Sequence, residues 1–177
     1  MFFGSIGLAV SVALMSLAMA AFLVSSVRAT LFGAPYVPIS LEHAELMLDA
    51  ADLRPGERLA DLGSGDGRLL LAGARRGALC RGWEINPYLW LVSVWRVWRA
   101  GLSQRIRVSP RSYWRETVEA DVVTLFLISY RMAPMAAKLR QELSPGARIV
   151  SYGFRLPDWP GEETVFPNVF RYRVPNR

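Results

Sequence analysis

Apolar and polar positions divide the chain into two parts of different character. No charged side chain occurs in residues 2–27, and the run 6–24 is apolar apart from glycine and isolated serines. At a rise of about 1.5 Å per residue, a helix of about 20 apolar residues crosses ~30 Å of hydrocarbon. The pattern therefore predicts one N-terminal transmembrane helix, an anchor over residues 1–28.

A cleaved signal peptide is the competing interpretation of this segment, because Ala18-Met19-Ala20 resembles a small-x-small cleavage site. Signal peptides usually combine a basic start with a shorter apolar core, and this segment has neither, which favours a retained anchor. The first positive charge, Arg28, follows the segment. By the positive-inside rule, the C-terminal domain is expected on the cytoplasmic side of the membrane.

A linker separates the anchor from the rest of the chain. Pro35 and Pro38 force the residues before them out of the α region, and residues 29–40 are therefore interpreted as a linker or lid. Apolar residues then return at helical spacing, which predicts a helix over 41–53. We expect this helix to open a domain over residues 41–177.

Strand and helix patterns alternate through this domain. Strands are predicted at 57–62, 79–85, 106–109, 121–128 and 148–152, and helices at 68–76, 87–100 and 132–143. The apolar run 121–128 is typical of a strand covered on both faces. The alternation predicts the α/β class with a doubly wound, mostly parallel, Rossmann-like sheet, and residues 164–174 could add one or two antiparallel strands at its edge.

Charge and composition narrow the possible partners. The net charge is +6, and nearly all of the positive charge is arginine that follows the apolar segment, which fits a domain held against an anionic membrane face. No run of consecutive basic residues marks a groove for nucleic acid, so a nucleic-acid partner is not favoured. One cysteine, Cys80, and one histidine, His43, provide neither a disulfide nor a metal-ligand cluster. We expect Cys80 to be a buried, inert thiol and His43 to lie at or near the surface.

The candidate chemistry lies in the first turn of the alternating region. A strand that ends at Asp61-Leu62 runs into Gly63-Ser64-Gly65-Asp66-Gly67 before a helix. Glycines allow a sharp turn and a close ligand, and the amides of the helix face the bound group. The third glycine of the dinucleotide fingerprint would fall at Arg68, and no Gly-Lys-Ser/Thr follows, so neither phosphate-binding motif fits.

Two carboxylates near this turn indicate another ligand. Asp61 would repel a pyrophosphate but suits the cationic amino-acid end of S-adenosylmethionine. Glu84 lies at the end of the second predicted strand, about 20 residues beyond the glycines, where a carboxylate can accept both ribose hydroxyls. Together they favour S-adenosylmethionine as the ligand over a tight turn that binds nothing.

Four segments carry a resemblance to a known family. They are Asp61 to Arg68, Glu84-Ile85-Asn86-Pro87, Pro35-Tyr36-Val37-Pro38 and the stretch 143–151, and they keep their order across residues 36–159. The chain resembles the small class I protein-lysine methyltransferases. That family includes archaeal single-domain enzymes and membrane-anchored mitochondrial enzymes acting on the c-subunit of ATP synthase and the adenine nucleotide carrier. The resemblance implies S-adenosyl-L-methionine as cofactor and a lysine of a membrane-proximal protein as methyl acceptor.

The resemblance also implies roles for individual residues. Glu84 would bind the ribose, and Asn86 would hold the residues that contact the cofactor without contacting it directly. Ser112 would offer one hydrogen bond beside the adenine, although Arg111-Ser112-Tyr113-Trp114 departs from the Gly-Asp/Asn-aromatic pattern of the family. The methionine part would be held by residues of the first turn: Asp61, Gly63, Ser64, Gly65 and Asp66.

Aromatic residues are the candidates on the acceptor side. A lysine must lose its proton before it can attack a methyl group, and a desolvating aromatic pocket disfavours its charged form. Tyr36, Phe154 and Trp159 occur where this fold brings segments over the methyl group of the cofactor, with core packing as the alternative for each.

The predicted helix 87–100 is also rich in aromatic and basic side chains. Packing on the sheet is the favoured interpretation of its tryptophans, and a membrane-interface surface is the alternative.

Three classes of function remain open on these observations. The favoured one is a membrane-anchored methyltransferase that modifies a protein lysine. The second is a small-molecule or lipid methyltransferase with the same cofactor site, which would need a deeper apolar pocket than a chain without long insertions suggests. The third is a non-catalytic cofactor-binding relative, supported by the departure at Ser112.

Overall fold

Helices and strands alternate along the domain in the predicted order. A computed structural model describes residues 2–32, 37–160 and 163–175. The helices are α1 (Phe2–Phe32), α2 (Leu41–Ala50), α3 (Arg68–Arg75), α4 (Pro87–Arg99) and α5 (Ser129–Glu142), with a 3-10 turn at Tyr113–Arg115. The strands are β1 (Arg58–Leu62), β2 (Leu79–Trp83), β3 (Ile106–Ser109), β4 (Val122–Leu125), β5 (Arg148–Tyr152), β6 (Glu163–Phe166) and β7 (Val169–Arg173).

The described strands form one sheet in the order β3-β2-β1-β4-β5-β7-β6. Strands β1 to β5 pair in parallel, whereas β7 pairs antiparallel with both β5 and β6. The predicted mostly parallel, Rossmann-like sheet is therefore confirmed. The strand order reverses between β1 and β4, and open α/β sheets bind ligands at the carboxyl ends of strands at such a point.

Apolar side chains cover both faces of the sheet. Val123 of β4 belongs to a core cluster with α5, while its neighbour Val122 belongs to a second cluster with α2, α3 and α4. Both side chains are fully buried. Since burial of one aliphatic side chain is worth roughly 1.5–3 kcal/mol, coverage on both sides explains the continuous apolar run of this strand.

Two strands end earlier than their apolar runs predict. Trp83 at the end of β2 and Leu125 at the end of β4 both lie beside Leu62, the last residue of β1. Beyond that point β1 turns away into the next loop, so β2 and β4 lose the strand that both pair with and leave the sheet. Glu84 and Phe126, the next residues, consequently lie at the carboxyl edge.

Helix α1 contacts the domain through α4. The ring of Phe22 meets the ring of Tyr88 edge to face, with their centroids 6.2 Å apart. Over the residues that the structure describes, no helix combines the length and the hydropathy needed to cross a membrane. The prediction of a transmembrane anchor over residues 1–28 is therefore not supported.

The outer face of α4 is apolar and aromatic. Leu89, Ser93 and Val97 are its buried residues, as expected for a helix packed on a sheet. Trp95 and Trp98, however, are 50% and 70% exposed. Core packing, the favoured interpretation of these tryptophans, is therefore wrong for Trp95 and Trp98.

The only lysine of the chain, Lys138, is held inside a hydrogen-bond network on α5. Its Nζ donates to the carbonyl oxygen of Glu116 at 2.8 Å and to Oε1 of Glu142 at 2.5 Å. The other oxygen of Glu142 accepts from the amide of Val118 at 2.9 Å. These bonds tie α5 to the segment that follows the 3-10 turn.

Cys80 is a buried residue of β2, and burial, aided by the nearby carboxylate of Asp61, raises the pKa of its thiol to about 12. We expect the native thiol to react with a disulfide reagent about three orders of magnitude more slowly than an exposed cysteine at pH 8, because the thiolate is the reactive form. Absorbance-monitored labelling measures this rate. Denatured protein, which should react at the normal rate, is the control, and fast labelling of the native protein would contradict the expected burial.

Candidate active site

The turn between β1 and α3 is pinned to the end of β2. The amides of Gly63 and Ser64 both donate to the carbonyl oxygen of Trp83 at 3.0 Å, and the amide of Gly67 donates to the carbonyl of Ser64 at 2.9 Å. Gly63, Gly65 and Gly67 all have positive φ, the left-handed conformation that glycine adopts at little cost. The predicted glycine turn is thus a rigid feature of the carboxyl edge.

Two buried carboxylates flank this turn. Oε2 of Glu84 accepts from the amide of Gly65 at 2.9 Å, and Oε1 accepts from the amide of Asn86 at 2.7 Å. Asp61 lies at the end of β1, where its Oδ1 accepts from the hydroxyl of Thr124 at 3.0 Å. In the described part of the chain, neither carboxylate has an arginine or lysine in an ion pair. They can therefore accept hydrogen bonds from a ligand or form an ion pair with a cationic group of the ligand.

Burial sets the protonation of these groups. It raises the pKa of Asp61 to about 7, an effect that the hydrogen bond from Thr124 opposes and the charges of Glu84 and Asp66 reinforce. Burial also raises the pKa of Glu84, against the hydrogen bonds donated by the amides of Asn86 and Gly65. A cationic ligand beside Asp61 would favour its ionised form and stabilise the complex.

Asp66 differs from these two carboxylates because it is already paired. Nε and Nη2 of Arg68 donate to its two oxygens at 2.9 and 2.6 Å, and Nη1 of Arg96 from α4 bonds to the same carboxylate. Although burial works to raise the pKa of Asp66, the hydrogen bond and charge of Arg68 and the charge of Arg96 hold it below its ordinary value. The remaining Nη1 of Arg68 donates to the carbonyl of Ile39 at 2.5 Å. Asp66 and Arg68 thereby fasten the linker to the turn.

The remaining predicted cofactor residues occupy different positions. Asn86 caps α4, where its Oδ1 accepts from the amides of Tyr88 and Leu89. Ser112 caps the 3-10 turn after β3. Ser64 is turned towards β2, since a Cβ added at Gly82 would lie 2.6 Å from its Oγ. That hydroxyl is buried and makes no hydrogen bond to the described residues.

Of the three predicted acceptor-side residues, Phe154 lies at the carboxyl edge. It follows β5 by two residues, is 40% exposed, and its carbonyl accepts from the hydroxyl of Ser151. Tyr36 lies outside the described residues. The prediction for Phe154 is thus compatible with its position at the same edge as the turn.

Trp159 lies at the other end of the sheet. Its indole Nε1 donates to the carbonyl of Arg173 at 3.3 Å, and Arg173 pairs with Arg148, the first residue of β5. The guanidinium of Arg140, from the last turn of α5, lies 5.2 Å from the centre of the ring. The ring is buried in the core, so the structure does not bring Trp159 to the turn, and core packing replaces the predicted acceptor contact.

Sequence reasoning missed three residues that shape the site. Thr124 of β4 hydrogen-bonds to Asp61, and Arg68 joins the turn to the linker. Tyr113 lies near Glu84 and Arg131. Burial raises the pKa of the Tyr113 hydroxyl, the charge of Arg131 opposes this rise, and the charge of Glu84 adds to it. The spacing of parallel strands could have indicated Thr124, which lies beside Asp61 in the sheet register. No pattern in the sequence near Arg68 or Tyr113 indicates their partners.

Gly67 offers a test of the rigidity of the turn. Its φ is +79°, and a Cβ added there would lie 2.2 Å from Oγ of Ser93. Gly67→Ala is therefore expected to lower the free energy of unfolding by about 3 kcal/mol, the sum of left-handed strain and overpacking. Denaturant titration measures this loss.

A matched control separates the two contributions. Gly101 has a φ of +68° and open space around its missing Cβ, so Gly101→Ala should cost only about 1–2 kcal/mol of strain. Equal losses for the two variants would show that contact with Ser93 does not matter.

The residues at this edge fit S-adenosyl-L-methionine. Asp61 and Glu84 are buried acceptors without a cation of their own, one suited to an ammonium group and the other to a pair of hydroxyls. Within the described residues, no cluster of His, Cys, Asp and Glu could hold a metal ion. The two carboxylates, Asp61 and Glu84, favour a ligand that combines an organic cation with a ribose.

Comparison with known proteins agrees with this site. The model of the family described as ANTKMT methyltransferase domain matches residues 61–163. The mouse (Mus musculus) adenine nucleotide translocase lysine N-methyltransferase is 39% identical over 129 residues, which cover 71% of this chain and 55% of the mouse protein. A protein-lysine N-methyltransferase from Saccharolobus islandicus is 30% identical over 134 residues, covering 74% of this chain and 83% of that protein.

A solved structure is similar over most of its length. The RNA methyltransferase from Salinibacter ruber in complex with S-adenosyl-L-homocysteine matches with a TM-score of 0.75 and 30% identity, covering 80% of this chain and 95% of that one. The present chain spans about half the length of the mouse relatives that it matches. The family model places the similarity in residues 61–163, which include the glycine turn and Glu84.

Proposed function

The chain belongs to the family of the ANTKMT methyltransferase domain, and on that premise we propose that it transfers a methyl group to a lysine side chain of a protein. Its cofactor is S-adenosyl-L-methionine, the methylated form of the molecule bound to the Salinibacter structure. When bound, this cofactor supplies a methyl group on a sulfonium centre, ready for in-line displacement.

The pair of carboxylates at the glycine turn carries the proposal. Asp61 and Glu84 are less than 10% exposed and have no ion-pair partner among the described residues. Burying two such groups costs stability unless they are satisfied, so their presence together at the carboxyl edge supports a function that depends on the cofactor. A non-catalytic binding protein would share this pair, so only methyl transfer itself distinguishes the enzyme from such a relative.

The acceptor class is supported by the named relatives. The mouse and Saccharolobus proteins are named as lysine methyltransferases, whereas the Salinibacter structure is named as an RNA methyltransferase. RNA is therefore the second candidate acceptor. The charge pattern favours protein, because the +6 charge is spread over single arginines and short pairs and forms no basic run.

The residues of the chain would act by position and by exclusion of water. Glu84 and Asp61 orient the two ends of the cofactor, the pinned turn holds its backbone amides in place, and Arg68 holds the linker beside the turn. An acceptor amine must be neutral to attack, and exclusion of water at this edge would disfavour its charged form.

Methyl transfer to endogenous acceptors tests the proposal. The full-length protein in detergent would be incubated with membranes from cells that lack its gene and with cofactor carrying a radiolabelled methyl group. Label should stay with protein after lipid extraction and ribonuclease treatment, and it should appear as methyllysine after acid hydrolysis. Glu84→Ala provides the inactive control.

Other outcomes would redirect or end the proposal. Label released by ribonuclease would favour the RNA acceptor, and label extracted with lipid would favour a lipid acceptor. Absence of cofactor binding by the wild-type protein would remove the methyltransferase function altogether.

Association with a membrane, with the domain on the cytoplasmic side, is a further part of the proposal. Leu14, Met15 and Leu17 of α1 are more than 60% exposed, and Trp95 and Trp98 add exposed aromatic surface on α4. Tryptophan and arginine side chains favour the membrane interface.

Protein from native cells should sediment with membranes, and a C-terminal tag should be digested by protease only in inverted vesicles. Recovery in the soluble fraction would contradict this location.

A further inference from the structure

Three aromatic rings form a row at the carboxyl edge, apart from the residues proposed above to bind the cofactor. The ring of Phe126, just after β4, meets that of Tyr152 at the end of β5, with centroids 5.2 Å apart and planes at 71°. The ring of Tyr152 in turn lies 4.8 Å from the imidazole of His43 on α2, at 46°. All three side chains are half-buried, so each has an exposed part at the surface. We call this row the aromatic wall.

The aromatic wall is connected to the cofactor turn on two sides. Leu127, the neighbour of Phe126, lies 3.7 Å from the position that a Cβ would take at Gly63. On the other side, the hydroxyl of Ser40 lies 2.8 Å from Nδ1 of His43, and the adjacent Ile39 is held by Arg68 of the turn. The wall and the turn therefore belong to one continuous surface at the point where the strand order reverses.

The rings of the wall are restrained by local contacts, since Tyr152 packs against both other rings and His43 is bonded to the cap of its helix. Ser40 caps α2 and accepts from the amide of His43 at 3.0 Å, so the imidazole is bound to its own helix cap. Gly153 has positive φ and no side chain, and a Cβ there would lie 3.8 Å from the ring of Phe126. Rings that are held in place lose little conformational entropy when a ligand packs against them.

The chemistry of these rings selects a cationic chain. Aromatic faces attract ammonium groups and pack against methylene groups, and they remove water from both. The planes are inclined to one another by 46° and 71°, which forms a corner and leaves no parallel pair of faces to sandwich a flat base. A narrow methylene stem with a charged end fits such a corner better than a nucleobase does.

We propose that the aromatic wall of Phe126, Tyr152 and His43 binds the side chain of the lysine acceptor next to the cofactor. The assignment rests on the proposed function, since it supplies the acceptor half of the same site. The aromatic wall takes the role predicted for Trp159, which lies at the opposite end of the sheet. Tyr152, the middle ring of the wall, would be the main contact of the acceptor side chain.

Binding of small probes tests the wall without requiring turnover. The probes are the amide of N-acetyl-trimethyllysine, which keeps a fixed positive charge, and the amide of N-acetyl-norleucine, which has a similar stem without charge. Both would be titrated by NMR into the full-length protein in detergent, saturated with S-adenosyl-L-homocysteine. We expect the charged probe to bind about fivefold to tenfold more tightly than the neutral one, as the cation–aromatic attraction requires.

Variants assign this preference to the wall. Tyr152→Ala should weaken binding of the charged probe about tenfold, whereas Tyr152→Phe should keep it within about twofold, because the aromatic face remains. His43→Ala, at a half-exposed position, gives a smaller loss of about threefold and tests the same surface if Tyr152→Ala does not fold. Trp98→Ala removes an exposed ring on α4, away from the wall, and should leave the binding of both probes in detergent unaltered. Unaltered affinity for S-adenosyl-L-homocysteine verifies that each variant is intact.

Three results would overturn the assignment. They are equal binding of the two probes, equal binding of the charged probe by wild type and by both His43→Ala and Tyr152→Ala, and preferential binding of an adenosine hexanucleotide that the wall variants abolish. Failure of the proposed function has a different signature, namely label that enters RNA or lipid in the transfer experiment. The two proposals can therefore fail independently.

Discussion

Replacing Glu84 with alanine is expected to weaken binding of S-adenosyl-L-methionine by at least about 100-fold. The carboxylate is held in place by the amides of Gly65 and Asn86, and the variant removes its two oxygens as acceptors for the ribose hydroxyls. Bonds to a charged group are worth roughly 1.5–3 kcal/mol each, so two of them correspond to a loss of roughly 3 kcal/mol or more. Calorimetric titration of the purified protein measures the change.

Two further variants sharpen this result. Glu84→Gln keeps the shape and one acceptor oxygen but turns an NH2 group towards a backbone donor, so it should fall between wild type and Glu84→Ala. Glu119→Gln changes a carboxylate that is mostly exposed and should leave affinity unaltered. Wild-type affinity in Glu84→Ala would disprove the assigned role of this carboxylate.

Asp61 is expected to make cofactor binding depend on pH. Burial raises its pKa to about 7, so the carboxyl is largely protonated below that pH in the absence of ligand. A cationic ligand requires the ionised form, and affinity should therefore rise by about tenfold per pH unit up to pH 7 and level off above it. Asp61→Asn should bind weakly at every pH and lose this rise. A wild-type affinity that is flat between pH 5 and 8 would contradict the prediction.

The stability of the ligand-free protein should show the opposite trend. Because the folded pKa of Asp61 exceeds the unfolded value of 3.8, the folded state holds a proton that the unfolded state has already lost. The contribution of Asp61 is therefore fully present below about pH 4 and falls as pH rises towards 7. Glu84, whose pKa is also raised, adds a slope of the same sign to both proteins. The difference in melting temperature between wild type and Asp61→Asn, followed from pH 4 to 8, isolates the effect of Asp61.

Local sequence was sufficient to predict the turn and the order of the elements. Gly63 and Gly65 specify a backbone conformation within a few residues, and the alternation of apolar patterns specifies the parallel sheet. The lengths of the strands were less predictable, because β2 and β4 end where their neighbour β1 ends. That limit is set by hydrogen-bond partners elsewhere in the chain and leaves no mark on the apolar run itself.

Side-chain partners were the least predictable part of the site. Asp66 is predicted to bind the cofactor, and its carboxylate is also paired with two arginines from α3 and α4, of which Arg96 reaches it only in the folded chain. Trp159 was placed over the site because it follows β5, although the loop carries it to the far end of the sheet. For Trp159 the error came from inferring a contact from chain position, whereas packing between distant segments determines where the ring lies.

The network around Lys138 has a consequence for self-modification. Because the chain contains one lysine, and its amine is engaged with Glu116 and Glu142 at a side chain only 11% exposed, the protein would offer the proposed reaction almost no lysine of its own to modify. A lysine-directed methyltransferase rich in surface lysines would label itself and obscure a scarce acceptor. Here arginine supplies the positive charge in its place, so methyllysine recovered from such a reaction reports on the acceptor and not on the catalyst.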